Sequence, residues 1–443
     1  MLRIHLLCAG LLAAAVRADP SLAPDAATAP GQSGDAQAIY ARVRPSLLQV
    51  RTIVQSAQGQ STLGSGFVVG QDGLAVTNYH VVSRYALEPK TYRLEFMAPD
   101  GSRGPLSLLA IDVADDLAVV RLQKLGLPGL PFDERALAEQ VPKGERLFSL
   151  GNPLDLGFTI VEGTYNGKVE RSYEPRVHFT GAINPGMSGG PAVTAEGKVV
   201  GINVSKRLGG ELVSFLVPAR FAAALVERAR NSQPLGPADA KAEIGRQLLA
   251  REQALYEAVE RDGFRAVDVG PYRAPETVSD WFSCWSNTNS DAQPKPRALN
   301  DTTACSADTS VFVAEQMQTG RIELRHSYLR SAQLNAFQFA SFLSHNYSPQ
   351  AAISPWGRRN TTTPRCNEDF VHIPGTRDGP TLHAAWCARA YRDYAGLYDV
   401  VITAVTADRS RESLMVQLSM QGVPYDTALS LGKRLLGTVA WAP

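Results

Sequence analysis

The 443-residue chain has no excess of charge of either sign: 44 Lys and Arg stand against 43 Asp and Glu, a formal net charge of +1. Without a basic surplus there is no electrostatic footprint for nucleic acid or for an anionic membrane surface, and neither is expected as a partner. Long apolar runs are missing too; the longest, Ile4 to Val16, is too short to span a bilayer, so no membrane span is expected. Histidine is scarce, seven in all and scattered without ligand spacing, so no metal is expected and no other cofactor is called for. There is no internal repeat of solenoid period. Cysteine is sparse and unevenly placed: of five, four (Cys284, Cys305, Cys366 and Cys387) lie in the C-terminal part.

What is present begins with a leader. Arg3 precedes the apolar run, which ends in Val16-Arg17-Ala18, small residues at the place where a signal peptidase cuts. Residues 1–18 therefore read as a signal peptide, and export to the periplasm or the medium is expected. Cys8 sits inside the run behind Leu7, the wrong setting for a lipidated cysteine. In an oxidising compartment the remaining four cysteines, an even number, point to disulfides. Cys284 and Cys305 are 21 residues apart, as are Cys366 and Cys387, which makes two local bridges the simplest of three connectivities.

Composition then divides the chain. Residues 19–35, DPSLAPDAATAPGQSGD, are small and proline-rich and read as a flexible tether. Residues 36–232 carry short β-branched runs between glycine turns, among them Leu47 to Val54, Gly66 to Val69, Leu74 to Thr77, Leu94 to Met97, Leu117 to Leu122 and Val199 to Val204. Many short strands at regular spacing predict an all-β barrel or sandwich. Phe221 to Arg230 reads as a helix, Pro234 and Gly236 break it, and residues 233–262 form a helical connector rich in Ala, Glu, Leu, Arg and Gln. Residues 263–443 are α+β in pattern, with strands near Asp399 to Ala407 and Ser413 to Met420 and a helix from Asp426 to about Val439.

Three local signals carry chemistry. In Asn184-Pro-Gly-Met-Ser-Gly-Gly-Pro191, glycines on both sides of Ser188 permit a tight turn that aims the hydroxyl outward and lets the amides of Gly186 and Ser188 converge on one point. A carbonyl oxygen gaining charge there would be held by each donor with roughly 3 kcal/mol. In Gly64-Ser-Gly-Phe-Val-Val-Gly-Gln-Asp-Gly-Leu-Ala-Val-Thr-Asn-Tyr-His80, two strands flank a Gln71-Asp72-Gly73 turn and the second delivers a histidine at its end. In Ala114-Asp-Asp-Leu-Ala-Val-Val-Arg-Leu122 a strand is entered through two acids; adjacent side chains on a strand point to opposite faces, so only one of Asp115 and Asp116 can turn inward. A lone histidine or a lone strand-end acid is ordinarily structural. The three signals together are not.

The order His, Asp, Ser and the texts TNYHVV, DDLAVVRL, GNP, AINPGMSGGP and VVGINV resemble trypsin-like proteases of the HtrA (DegP-like) group, over roughly residues 37 to 225. The resemblance implies a mainly β fold: two six-stranded chymotrypsin-like barrels, here followed by a helical connector and a smaller α+β domain holding the disulfides. It implies a catalytic triad of Ser188 as nucleophile, His80 as base and Asp116 as orienting acid, oxyanion donors on Gly186 and Ser188, and polypeptide substrates. It also places Ala182, Val204 and Phe215 around the primary substrate pocket, predicting small or medium aliphatic residues there.

The chain departs from the group in three ways. Met187 stands where an asparagine is usual, so the side chain expected to brace the oxyanion turn is apolar. Ala182 replaces the acid that selects basic residues in trypsin. No PDZ-like pattern follows the protease segment, and the oligomeric state stays open. Residues 263–443 read either as a stapled structural domain or as a binding module for substrate, for a protein partner or for the protease itself, with Trp281, Trp285, Trp356 and Trp386 as anchors. The alternative to an active serine endopeptidase is a latent or inactive protease fold that serves as a scaffold.

Overall fold

The computed structural model describes residues 32–123, 126–206, 213–347, 359–372 and 379–442; the expected leader and residues 19–31 of the expected tether lie outside the described residues. Residues 32–35 correct the tether's end, because helix α1 (Gln32–Val43) already begins there. Ile39 and Val43, one turn apart on α1, are buried in the apolar core that the two barrels share, and Asp35 pairs with Arg146.

The short β-branched runs form two closed antiparallel barrels. The first joins β1 (Leu47–Val54), β2 (Gly59–Val68), β3 (Leu74–Thr77), β4 (Tyr92–Met97), β5 (Arg103–Asp112) and β6 (Leu117–Leu122) in the order β1-β2-β3-β6-β5-β4. Helix α2 (Tyr79–Leu87) follows β3. The second barrel joins β7 (Arg146–Gly151), β8 (Thr159–Lys168), β9 (Val177–Phe179), β10 (Pro191–Val193), β11 (Val199–Lys206) and β12 (Ser214–Pro218) in the order β10-β11-β12-β9-β8-β7. A single helical turn, α3 (Glu134–Leu137), precedes it and α4 (Ala219–Ala229) closes it, burying Ala222, Leu225, Val226 and Ala229 on one face. Burying β-branched and Leu side chains inside closed sheets leaves no free strand edge.

Helix α5 (Pro237–Asp262) does more than connect. Its apolar stripe recurs every third or fourth residue: Ala240, Ile244 and Leu248 enter the core of the first barrel, whereas Leu255, Tyr256 and Val259 enter the core of the C-terminal sheet. One helix thus serves two cores.

In the C-terminal region a three-stranded sheet combines β13 (Phe264–Val269), β14 (Tyr272–Thr277) and a final β24 (Ala440–Trp441). The large sheet has seven antiparallel strands in the order β15-β16-β19-β23-β22-β21-β20: β15 (Phe282–Thr288), β16 (Ala298–Ala307), β19 (Ile322–Ser331), β20 (Arg365–His372), β21 (Thr381–Ala390), β22 (Leu397–Thr406) and β23 (Glu412–Pro424). Between β16 and β19 a hairpin of β17 (Val311–Ala314) and β18 (Met317–Thr319) leaves the sheet. Helix α6 (Ala336–Asn346) starts at an Asn335 capping box, and α7 (Tyr425–Thr438) buries Ala428, Leu431 and Leu435 against the sheet. The bonded pairs Cys284–Cys305 and Cys366–Cys387 lie directly opposite one another on β15–β16 and β20–β21, so each edge strand of the large sheet is tied to its neighbour. The mainly β class, with two six-stranded barrels, helices after them and a disulfide-bearing α+β region, is the one the sequence led us to expect.

Of the tryptophans, Trp281 packs on Tyr173 of the second barrel at 5.3 Å, Trp386 lies against Tyr425, Trp285 is 77% exposed and Trp356 lies outside the described residues. Among the described residues no helix is long and apolar enough to cross a membrane.

Candidate active site

His80 does not end a strand, as its text suggested. β3 stops at Thr77, and His80 is the second residue of α2. That position exposes its backbone amide, one of the donors a helix start leaves unpaired, and the amide donates to Asp116 Oδ1 at 2.8 Å. The other carboxylate oxygen, Oδ2, is 2.6 Å from His80 Nδ1. Asp116 is anchored in turn through its carbonyl, which accepts from Asn78 Nδ2 at 2.7 Å and from the Tyr79 amide at 3.1 Å. A carboxylate on Nδ1 selects the tautomer that carries its proton there and leaves Nε2 as acceptor. Burial opposes protonation of the imidazole, but the charge of Asp116 and its hydrogen bond outweigh it, so His80 titrates above its ordinary value of 6.5.

Pleat alternation is not what separates the two acids. Both lie in the turn before β6, where Asp116 takes the left-handed conformation with φ 56°. This turn sends Asp116 to His80 and Asp115 to the Arg176 guanidinium of the second barrel, 3.2 Å away. Burial first, and the neighbouring Asp112 next, push the Asp115 carboxyl up to about 6, with Arg176 acting against them. Gln247 of α5 holds the same turn, donating to the Ile111 carbonyl and accepting from the Val113 amide, each at 2.8 Å.

Ser188 sits in the glycine turn between barrel strands, where Gly186, Gly189 and Gly190 each leave no room for a Cβ; at Gly190 it would lie 2.1 Å from the Leu150 carbonyl, and two of the three also take a positive φ. Gly186 has φ 94°, and a Cβ on it would lie 2.4 Å from the Asn152 carbonyl; Gly189 has φ 85°, and its Cβ would lie 2.3 Å from the Ser65 carbonyl. The Pro185 carbonyl accepts from the Leu154 amide at 2.9 Å. In a trans peptide the next N–H points the opposite way, which turns the Gly186 amide away from Leu154. Among the described residues neither that amide nor the Ser188 amide donates to a backbone carbonyl. The Ser188 hydroxyl is directed at the Val204 carbonyl, 3.5 Å away.

The brace of this turn comes from residues the sequence motifs had not singled out. Ser65 Oγ donates to the Gly186 carbonyl at 2.7 Å and accepts from the Asn152 amide at 2.9 Å, while the Ser65 amide donates to the Ser188 carbonyl at 2.8 Å. Asn203 Nδ2 reaches the Met187 carbonyl at 3.3 Å and the Leu150 carbonyl at 3.0 Å, with its Oδ1 accepting from Ser149 at 2.8 Å. Met187 itself is fully buried in the core shared by the barrels. Its side chain holds the turn by packing where a polar one would use hydrogen bonds. The signal for Ser65 was the serine inside Gly64-Ser-Gly66, and for Asn203 the polar residue inside VVGINV.

A cleft of about 370 Å³ opens beside His80, lined by Thr62, Ser83, Arg84, Asp116, Val204, Phe312 and Glu315. Val204, one of the three expected pocket residues, therefore borders it. Ala182 and Phe215 are half-buried on the second barrel outside this lining. Phe312 and Glu315 belong to the C-terminal hairpin, and no feature of the sequence had placed them here.

Residues 64–202, which include His80, Asp116 and Ser188, match the family model for the trypsin-like peptidase domain. The chain is 30% identical over 179 residues to a probable periplasmic DegP-like serine endoprotease of Chlamydia muridarum, covering 39% of this chain and 34% of that protein. It is 32% identical over 183 residues to the mitochondrial serine protease HTRA2 of Drosophila pseudoobscura pseudoobscura, covering 40% of this chain and 41% of that one. Among solved structures, the serine endoprotease from Yersinia pestis aligns with a TM-score of 0.39 and 24% identity, over 46% of this chain and 68% of that one. The matched part thus spans about a third to two fifths of the length of these curated relatives. Residues 64–202 are thus similar to the trypsin-like peptidase domain, and the surrounding stretch resembles the HtrA and DegP-like proteases.

Proposed function

We propose that the chain is a serine endopeptidase acting on exported polypeptides, with His80, Asp116 and Ser188 as its triad. The observation that carries this reading is the 2.6 Å contact of His80 Nδ1 with Asp116 in a cleft bordered by Val204, whose carbonyl faces the Ser188 hydroxyl. Catalysis requires that hydroxyl to leave Val204 for His80 Nε2, a rotation about χ1 between staggered wells. Ser188 Oγ then attacks a peptide carbonyl while Nε2 takes its proton, and the developing oxyanion is held by the amides of Gly186 and Ser188. The C–N bond breaks as His80 returns the proton to the leaving amine. Water, deprotonated by His80, attacks the acyl ester and regenerates Ser188.

The division of labour we infer is a signal peptide in residues 1–18, a tether in 19–31, a protease unit that starts with α1 and runs to about 232, α5 as a shared helix, and residues 263–443 as a second unit. Two cystines in that unit and the DegP-like relatives named periplasmic support export. With Ala182 in place of an acid, and with Val204 and Phe215 apolar, small or medium aliphatic residues are the expected choice at the cleaved bond. The test is cleavage of an unfolded polypeptide by wild-type protein and by Ser188→Ala: cut sites after aliphatic residues that vanish in the variant support the reading. Equal cleavage by both proteins refutes it.

A further inference from the structure

We infer that Phe312, from the C-terminal region, is a specificity-determining wall of the substrate cleft; this rests on the peptidase reading of that cleft. The local pattern sets its direction. On β17 successive side chains alternate, so Val311 and Val313 turn one way and Phe312 the other. Val311, Val313 and Met317 are buried in the core of the first barrel together with Tyr79, Val81 and Val82 of α2. Phe312 is left half-exposed at the rim of that core, its ring 6.3 Å from that of Tyr79 and steeply inclined to His80 with ring centres 6.0 Å apart.

The hairpin is fixed at both ends. At its tip the buried Tyr79 hydroxyl donates to the Val313 carbonyl at 2.8 Å, and Arg84 of α2 pairs with Glu315. At its base Thr309 Oγ1 donates to the Gly320 carbonyl at 2.6 Å, and Thr319 Oγ1 meets the Tyr391 hydroxyl at 2.9 Å. Three apolar anchors and a buried hydrogen bond to the helix that carries His80 build the hairpin into the wall of the cleft.

That placement gives the C-terminal region a direct task. An extended peptide laid across His80 puts a side chain beside the scissile bond into the space between the Phe312 ring and Val204. An aromatic face and a valine, both half-exposed, favour an apolar side chain there, because it removes apolar surface from water on both walls.

The experiment compares wild type, Phe312→Ala and the conservative Phe312→Leu in a peptide-library cleavage profile, alongside reaction with a small fluorophosphonate. A matched set of Ser188→Ala proteins, with and without Phe312→Ala, is titrated with fluorescent peptides by anisotropy. The expected result in Phe312→Ala is that kcat/KM for the favoured apolar peptides falls roughly tenfold more than the rate of fluorophosphonate reaction does, and that the preference at one position flattens. Phe312→Leu keeps most of the preference. An unchanged profile overturns the wall, and so does uniform acceleration of every peptide, which would make Phe312 a plug. If wild type neither cleaves nor reacts, yet peptide binding by the Ser188→Ala protein still depends on Phe312, the peptidase reading falls and the wall stands. Binding indifferent to Phe312 overturns the wall whatever Ser188 does.

Discussion

Ser65, on the first barrel, donates its hydroxyl to the carbonyl of Gly186 in the second, at 2.7 Å, across the seam that holds the candidate site. The same oxygen accepts from the Asn152 amide, and the Ser65 amide donates to the Ser188 carbonyl. Ser65 therefore holds the peptide planes that follow Gly186 and Ser188, whereas the planes carrying those two amides are held by the Leu154 amide on the Pro185 carbonyl and by Asn203 on the Met187 carbonyl; Ser65 acts on the amides through the adjoining backbone torsions of the turn.

Ser65→Ala should leave the buried Asn152 amide and the partly buried Gly186 carbonyl without a partner, at about 1–3 kcal/mol of stability. Because the amides stabilise charge that develops only in the transition state, kcat should fall roughly 10- to 100-fold with KM little changed. Steady-state kinetics with a thermal melt checks both. A rise in KM at constant kcat would instead place Ser65 in substrate binding.

Met187 sharpens the same point. Its side chain is fully buried among apolar neighbours, so Met187→Asn, the residue usual in the HtrA group, should bury an amide without partners and destabilise by about 1–3 kcal/mol. Met187→Leu, which keeps volume and polarity, should cost less than about 1.5 kcal/mol and retain activity. Denaturant melts of the two variants measure the contrast.

The paired acids separate a role in the site from a structural one. His80 titrates above 6.5 in the folded protein and must be neutral to accept a proton, so the acid limb of kcat/KM should lie above 6.5. Asp116→Asn removes the charge that raises it: the limb should move down and kcat should drop by about 10⁴. Asp115→Asn should spare kcat. Since the folded Asp115 carboxyl titrates at about 6 against an ordinary 3.8, the folded state holds the extra proton between those values and wild-type stability falls as pH rises through that window. Melts from pH 4 to 7 should show that fall, on the order of 1–3 kcal/mol, flattened in Asp115→Asn.

How much of this was legible depended on the range of the forces involved. Leu47–Val54, Leu74–Thr77 and Leu117–Leu122 were read with the bounds they have, because β-branched runs between glycine turns decide strand ends locally. α5 was legible as a helix but not as a shared core, since its stripe takes on meaning only when two sheets meet it. The choice of Asp116 over Asp115 rests on a left-handed turn, not on the pleat. The hairpin at the cleft was invisible: strands of four and three residues carry almost no periodicity, and the contact that makes Phe312 matter joins residues more than two hundred positions apart. Ser65 and Asn203 were in view inside their motifs, but their work is done across the chain.

The most direct measurement of the central claim is fluorophosphonate labelling of the folded, processed protein, with the modified peptide located by mass spectrometry. One adduct on Ser188 is expected, lost in Ser188→Ala and strongly slowed in His80→Ala. No adduct in folded wild-type protein, or an adduct that persists when Ser188 is replaced, would contradict it.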